Sequence, residues 1–126
     1  MAITIKTNLR ERRIEEGDIL VGSYGYEASI AEWYRVVKRT PKMVTLQRLE
    51  GKKVATHGYE GWEEVPSDKP YEYFGEQTII RRKVQPAVTP CDGYLDGYDV
   101  MESCWTESFI HAFIWDGEPV DCYNYH

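Results

Sequence analysis

The sequence predicts a single mostly-β domain, either a small bent antiparallel sheet or a partly open SH3-like barrel, with at most one or two short helices. Two runs of β-branched and aromatic residues, 32–38 and 43–49, support this fold class, and the second alternates apolar and polar side chains with period two. Pro41 lies between the runs, where it fits a turn and would disrupt a central strand. A chain of 126 residues without a fixed-period repeat or a linker-like segment suits one domain with its own core.

The first third of the chain is predicted to contain an N-terminal arm, one strand and a hairpin. Residues 1–16 are polar and charged, so they are expected to form a loose arm or a short edge strand. After the turn signal at Gly17, a strand begins at Ile19. Residues 32–38 and 43–49 then pair as an antiparallel hairpin. Alternation directs Tyr34, Val36, Val44 and Leu46 to the core and Lys38, Thr45 and Gln47 to water.

The middle of the chain alternates turn signals with short strand-like runs. Residues 50–53 are interpreted as a turn, 54–57 as a short strand and 58–75 as an irregular crossing rich in glycine and proline. Residues 77–84 carry β-branched side chains and predict another strand. Residues 85–104 are expected to form a long acidic loop.

Residues 105–115 support two interpretations. Thr106 could cap a helix, which would make the domain α+β, or the segment could form a buried strand. One face of the helix would carry Phe109, Ile110 and Phe113. Asp116 and Gly117 then form a strong turn signal, after which residues 120–125 are predicted to pair back as a final strand.

Charge is divided unevenly along the chain, whose net charge is −6. Residues 1–83 hold 15 basic and 13 acidic side chains, a net of +2, and residues 84–126 hold eight carboxylates and no lysine or arginine, a net of −8. The same tail holds eight of the 17 aromatic residues. Disordered acidic tails are poor in aromatics, so this segment is expected to fold and to show its charge on a surface. Such a surface repels nucleic acid and attracts proteins with basic grooves.

The acidic and aromatic residues beyond Lys83 are the predicted partner-binding site. Carboxylates on a rigid scaffold can imitate the phosphates of a nucleic acid, and aromatic side chains are frequent binding hot spots. The simpler interpretation is a solvated face, or a tail that pairs with the chain's own basic residues 81–83. The loop cluster between Asp92 and Glu107 is favoured over the later turn cluster. The predicted site comprises Asp92, Tyr94, Asp96, Tyr98, Asp99, Glu102, Trp105, Glu107, Asp116, Glu118 and Asp121.

Metal binding and catalysis receive little support from the sequence. Structural zinc sites usually draw on a close cysteine pair, which is absent, and buried core cysteines are more common than zinc ligands. A cysteine nucleophile served by His57 or His111 has no family signature around it, and no phosphate-binding glycine motif occurs. We therefore expect no catalytic residue, metal or cofactor. The ligand types present are Cys91, Cys104, His111, Cys122 and His126.

A cytoplasmic location is expected. No apolar run approaches the roughly 18–20 residues that cross a bilayer. The N-terminal sequence lacks the apolar centre of a signal peptide. Three cysteines, an odd number without close pairs, fit a reducing compartment better than a disulfide framework.

One block of sequence is distinctive: GDILVGSYGYE at 17–27, followed within 31–49 by the segments WYRVV and KMVTLQRL. This block resembles a family of small uncharacterised bacteriophage and mobile-element proteins, in which tryptophan is usual at the position of Tyr24. The likeness continues at 74–83 and at 115–119, where the family usually carries lysine in place of Glu118. The resemblance implies a small mostly-β fold, a bacterial host cell and no known catalytic residues. Small accessory proteins of such elements often inhibit host defence, including CRISPR systems.

Charge segregation and the resemblance together predict a non-enzymatic, anti-CRISPR-like inhibitor from a phage or mobile element. Its expected partner is a host nucleic-acid-handling protein, above all a CRISPR effector nuclease, which it binds through the acidic aromatic surface in competition with nucleic acid. Direct nucleic-acid or membrane binding is not expected. The alternative is a small β-barrel accessory protein that binds single-stranded nucleic acid through Trp33, Tyr34, Arg35 and residues 81–83. A cysteine or zinc enzyme is the third hypothesis.

Overall fold

The computed structural model of the protein describes residues 10–24, 28–58, 61–72, 78–88, 98, 100–107 and 110–124. These residues form nine strands and no helix, which confirms the predicted mostly-β class. None of them therefore belongs to a helix that is long and apolar enough to cross a membrane. The strands are β1 (Glu11–Arg12), β2 (Ile19–Tyr24), β3 (Ala28–Arg39), β4 (Met43–His57), β5 (Gly61–Pro70), β6 (Ile79–Val88), β7 (Val100–Glu107), β8 (Ile110–Ile114) and β9 (Val120–Asn124).

All nine strands belong to one sheet, in the order β1-β7-β6-β4-β5-β9-β3-β2-β8. β1 lies parallel to the start of β7, and the remaining pairs are antiparallel. Two additional pairings, β7 with β8 and β3 with β4, bring distant parts of the sheet together. The result is a strongly bent, partly ringed sheet rather than a regular barrel. This agrees with the bent sheet, the first of the two predicted architectures.

The predicted hairpin is confirmed by β3 and β4. Val36 lies opposite Leu46, and the Thr40 amide donates to the Met43 carbonyl oxygen at 2.9 Å, which closes the turn between the strands. Of the three residues predicted to face water, Lys38 is exposed, whereas Thr45 and Gln47 are half-buried. The four residues predicted to face the core are all buried: Tyr34, Val36, Val44 and Leu46.

Two apolar clusters lie on the two faces of β3, because alternate residues of a strand point to opposite sides. β3 is thus buried on both faces in its central part, where apolar side chains occupy both sets of alternate positions. The first cluster contains Ile14, Leu20, Tyr34, Val36, Val44, Leu46, Val84, Met101, Cys104, Ala112 and Ile114. The second contains Ala31, Trp33, Leu49 and Cys122, with Ile19, Val21, Trp62, Trp115 and Val120 packed against it.

The predicted turn at 50–53 is wrong, because β4 continues through these residues to His57. Gly51 serves a different purpose there, since a Cβ added to it would lie 1.7 Å from Oε1 of Glu64. The missing side chain makes room for this carboxylate. Glu64 in turn accepts hydrogen bonds of 2.8 Å from the indole nitrogens of Trp33 and Trp62.

The irregular crossing predicted over 58–75 consists largely of β5, which pairs with β4. Only the first four residues of β5, 61–64, also pair with β9. Pro66 and Pro70 lie beyond that shared stretch, where a residue without an amide hydrogen is tolerated as it is on an edge strand. Within the described residues β9 pairs with β5 and β3 rather than with β8. The turn at Gly117 therefore redirects the chain instead of closing the predicted final hairpin.

The segment between β6 and β7 is shorter than the loop predicted at 85–104. β6 extends to Val88 and β7 begins at Val100, and of the intervening residues the structure describes Tyr98. Within 105–115 the described residues 105–107 end β7 and 110–114 form β8, so the strand interpretation is confirmed there and the helix interpretation is wrong. The reason lies in β8, whose alternate residues are buried with a period of two rather than along one helical face.

The predicted N-terminal arm is anchored over its described part. β1 adds to the edge of β7 through Glu11 and Arg12, and Arg12 pairs with Asp18 at 2.7 Å. Ile14 is buried in the first apolar cluster. Residues 10–16 therefore form a fixed edge of the sheet, and residues 1–9 lie outside the described part of the chain.

Candidate functional site

Three rings stack in a line across the outer face of the β7–β8 pair. Trp105 lies directly opposite His111, and their ring centroids are 4.4 Å apart with only 13° between the planes. Phe113 follows, with its centroid 4.3 Å from that of His111 and a tilt of 41°. The Trp105 side chain is 43% exposed, so one end of the stack faces solvent. We call Trp105, His111 and Phe113 the aromatic stripe.

A hydrogen bond fixes the central ring of the stripe. Ser103 Oγ lies 2.6 Å from His111 Nε2, and Ser103 itself is only 2% exposed. Whichever of the two atoms carries the proton, the bond holds the imidazole in its plane beneath the indole. Trp105 is therefore presented on a rigid support.

The stripe belongs to a row of side chains that crosses five strands in register. From β4 to β7 the row runs through Leu49, Trp33, Val21, Phe113 and Ser103, each directly opposite the next. Its first three members pack in or against the second apolar cluster. The stripe is thus the continuation of that cluster toward solvent, and the same alternation that buries Trp33 brings Phe113 and His111 to the outer face.

The exposed carboxylates of the predicted site are dispersed over the sheet. Glu107 lies at the end of β7, two residues beyond Trp105, whereas Asp121 lies on β9. Asp116 and Glu118 lie in the turn that follows β8. There the Glu118 amide donates to Asp116 Oδ1 at 2.9 Å, so one carboxylate of this pair also shapes the turn. All four residues are exposed.

Glu102 departs from the predicted site, because it faces inward. It is 8% exposed, and both of its carboxylate oxygens accept bonds from Arg39, at 2.5 Å and 3.2 Å. The Ile14 amide donates to Oε1 as well, at 2.9 Å. Burial acts to raise the pKa of Glu102, but these hydrogen bonds and the charge of Arg39 outweigh it, so the pKa lies below its ordinary value. This ion pair removes Glu102 from the outward surface predicted for it.

The remaining predicted residues lie in the segment before β7. Tyr98 is 37% exposed and lies near the Arg12 guanidinium. Tyr98 and the start of β7 adjoin the anchored N-terminal edge, because β1 pairs with Val100 and Met101. Four predicted residues, Asp92, Tyr94, Asp96 and Asp99, lie outside the described part of the chain.

The potential zinc ligands do not converge where the structure describes them. Cys104 is buried in the first apolar cluster and Cys122 in the second, whereas His111 lies in the aromatic stripe. Burial raises the pKa of the Cys104 thiol to about 12, and burial likewise raises the pKa of Cys122. These two cysteines are therefore core residues whose thiols stay protonated at neutral pH. Cys91 and His126 lie outside the described residues.

The residues named for nucleic-acid binding are largely occupied within the fold. Trp33 and Tyr34 are buried, at 1% and 4% exposure, so neither ring can stack on a base in this structure. Arg35 faces Asp68 at 3.3 Å, and Arg82 Nε donates to the Thr106 carbonyl oxygen at 2.9 Å. The stacking platform of that hypothesis is absent from the described surface, because β3 is covered on both faces.

Sequence reasoning missed a cluster formed by His57, Glu63 and Asp121. His57 ends β4, and the two carboxylates face each other across β5 and β9. His57 Nε2 lies 2.8 Å from Glu63 Oε2, and the potential ligand atoms of all three residues lie within 4.8 Å of one another. The three residues span 64 positions of sequence, and they come together because β4 runs through to His57 and pairs with β5, which in turn pairs with β9. The interpretation of 50–53 as a turn and of 58–75 as a crossing hid both strands.

Comparison with known proteins gives no relative, since no family model, curated protein or solved structure matches the chain. What the outer face can bind therefore follows from its own side chains. These are a rigid exposed indole, a buried serine–histidine bond beneath it, and carboxylates in a part of the sequence, after Lys83, that contains no lysine or arginine.

Proposed function

We propose that the protein is a non-enzymatic binding protein of a phage or mobile element that inhibits a host nucleic-acid-handling protein, in particular a CRISPR effector nuclease. The observation that carries this proposal is the exposed Trp105, which is stacked on His111 and has Glu107 two residues along the strand. A rigid apolar anchor beside a carboxylate suits a partner surface that is basic and contains an apolar pocket.

Preorganisation supports the anchor role of Trp105. An exposed tryptophan that moves freely loses rotamer entropy when a partner immobilises it. The stack on His111 and the bond from Ser103 to that imidazole hold the neighbouring rings before any partner arrives. Tryptophan is among the residues most enriched in binding hot spots, so truncation of such an anchor typically costs at least about 2 kcal/mol of binding free energy.

The charge distribution supports a basic partner. The chain carries a net charge of −6, and Glu107, Asp116, Glu118 and Asp121 are exposed in its last third. A basic groove that normally holds nucleic acid attracts such a surface over a Debye length, which speeds association and makes it sensitive to salt. The inhibitor then excludes the nucleic acid by occupying the same groove.

The buried nucleophiles among the described residues support a binding role over catalysis. Ser103 has an imidazole within hydrogen-bond reach, but at 2% exposure its Oγ offers a substrate carbonyl no approach. Cys104 is fully buried with its thiol pKa at about 12, so at neutral pH it carries a proton rather than the thiolate that attacks substrates.

The test is a binding titration against a panel of purified CRISPR effector nucleases at rising salt. We expect a submicromolar complex at low salt that weakens as salt rises, and a loss of roughly 30-fold in affinity for Trp105→Ala. Val54→Ala is the matched control, since Val54 is 48% exposed on β4, away from the stripe. Equal binding by Trp105→Ala and wild type would rule out the anchor role. A gel shift of single-stranded DNA or RNA by the protein alone would instead favour the nucleic-acid-binding alternative.

A further inference from the structure

We propose that His57, Glu63 and Asp121 form a binding site for a divalent transition-metal ion of the zinc type. The site shares Asp121 with the exposed carboxylates of the proposed function but contains no residue of the aromatic stripe, since it lies on β4, β5 and β9 and the stripe lies on β7 and β8. It brings an imidazole and two carboxylates together, a ligand set that zinc-type ions accept.

The strand register places the three side chains on one face. Glu63 lies opposite Asp121 in the β5–β9 pair and opposite Ala55 in the β4–β5 pair. Two residues further along β4, His57 lies opposite Gly61, which has no side chain to cover the imidazole. Ligands held by three neighbouring strands are fixed by the backbone ladder rather than by a mobile loop.

The distances suit a single ion. Ligand atoms bound to one tetrahedral zinc ion at about 2.0–2.1 Å from the metal lie about 3.3 Å from one another. His57 Nε2 and Glu63 Oε2 are 2.8 Å apart, and no two of the three ligand atoms are more than 4.8 Å apart. Side chains at exposed positions can rotate so that their ligand atoms move by about an ångström. This closes the difference between the observed separations and those expected around one ion. The ion would keep one or more open positions for water, as three-ligand zinc sites do.

The negative charge of the cluster favours binding of a cation. Carboxylates directly opposite each other on neighbouring strands repel, and Glu63 and Asp121 are such a pair. The nearby Lys53 is directed elsewhere, since its ammonium lies over the Trp62 ring, 4.5 Å from the centroid. In the strand register Lys53 lies opposite Glu64. The Glu64 side chain points to the face opposite that of its neighbour Glu63, because successive residues of a strand alternate between faces. A divalent ion would neutralise both carboxylates at once and accept the neutral imidazole as its third ligand.

Isothermal titration of the full-length, tag-free protein with ZnCl2 tests the site. We expect one ion per chain with a micromolar dissociation constant, and a loss of roughly 10-fold or more in affinity for His57→Ala, Glu63→Gln and Asp121→Asn separately. Asp68→Asn removes an exposed carboxylate further along β5 and is the matched control, expected to bind zinc as the wild type does. His57 and Asp121 are exposed, so these variants are expected to fold, and circular dichroism checks this.

Two further readouts separate the site from other causes of zinc binding. With Co2+ in place of Zn2+, the absorption spectrum should lack thiolate charge-transfer bands, since no cysteine belongs to the set. The Gly61 amide, opposite His57, should shift in the 15N–1H NMR spectrum on addition of Zn2+. Absence of heat on titration, binding that survives all three substitutions, or thiolate bands with Co2+ would each overturn the proposal, and the simple His57–Glu63 hydrogen bond would then be the whole role of the cluster.

Discussion

Arg39 donates hydrogen bonds to Glu102 from both terminal nitrogens, at 2.5 Å from Nη1 to Oε1 and 3.2 Å from Nη2 to Oε2. The pair joins the end of β3 to β7 across 63 positions of sequence, and the Ile14 amide and carbonyl oxygen both bond to it. Both side chains are largely shielded, at 18% and 10% exposure. A carboxylate that looked like part of an outward acidic surface is therefore an internal bridge between three segments of the chain.

Removal of this bridge should destabilise the fold. Glu102→Ala leaves the Arg39 guanidinium and the Ile14 amide without their shared acceptor, and breaking a buried ion pair typically costs about 3–5 kcal/mol. Because Arg39 keeps some contact with water, we expect a loss of about 3 kcal/mol in the free energy of unfolding, measured by urea denaturation. Glu107→Ala, an exposed neighbour on the same strand, should change it by less than about 0.5 kcal/mol. Equal losses in the two variants would contradict the bridging role.

Acid should weaken the same bridge. The folded-state pKa of Glu102 lies below its ordinary value of 4.5, although burial alone would raise it, because hydrogen bonds from Arg39 and Ile14 favour the carboxylate. Its contribution to stability is thus fully present above about pH 4.5 and is lost as the pH falls through the lower, folded-state pKa. Urea midpoints measured from pH 7 down to acid should fall more steeply for wild type than for Glu102→Gln. Parallel curves would show that this carboxylate does not titrate differently on folding.

Strand alternation accounts both for what could be predicted and for why Glu102 could not. The first residues of β4, 43–47, alternate between buried and part-buried side chains with period two, so the core residues Val44 and Leu46 were identified correctly. The same rule applied to β7 would place Glu102 on the face of Cys104, toward the core. That step required β7 to begin at Val100, whereas the composition of the region indicated a loop to residue 104. Its partner Arg39 is too distant in sequence to suggest the pairing.

Glycine and proline misled the sequence interpretation in the middle of the chain. Gly51 indicated a turn, but it is required in mid-strand by the carboxylate of Glu64 that packs against it. Pro66 and Pro70 indicated a crossing, but they lie in the part of β5 beyond its pairing with β9. Glycine and proline occur where the backbone has an unusual requirement, such as a turn, close packing by a side chain or an amide that needs no partner. Only the tertiary neighbours show which requirement applies.

Gly51→Ala should release the Glu64 carboxylate from its two indole partners. The added methyl group would lie 1.7 Å from Oε1, so the side chain must swing away from Trp33 and Trp62. We expect a loss of about 2–3 kcal/mol in stability for these charge-assisted hydrogen bonds, with a shift in tryptophan fluorescence. In a Glu64→Ala background the same substitution should cost much less, and a cycle with no coupling between the two sites would contradict this explanation.

The Cys104 thiol should resist alkylation in the folded protein. Its side chain is fully buried and its pKa is raised to about 12, so it lacks both access and thiolate at pH 8. Peptide-resolved mass spectrometry after iodoacetamide treatment should find Cys104 unmodified in native buffer and modified in urea. Rapid modification under native conditions would mean that β7 opens readily or that the thiol is not in the core.

Competition with nucleic acid tests the central claim most directly, namely that the face carrying Trp105 and Glu107 occupies a basic groove of a CRISPR effector nuclease. The measurement compares the affinity of the protein for the effector whose groove is empty with its affinity for the effector loaded with target nucleic acid, at one salt concentration. We expect affinity to fall by roughly 10-fold or more when nucleic acid fills the groove, and Trp105→Ala to bind weakly in both states. Equal affinity for the empty and the filled effector would contradict the proposal.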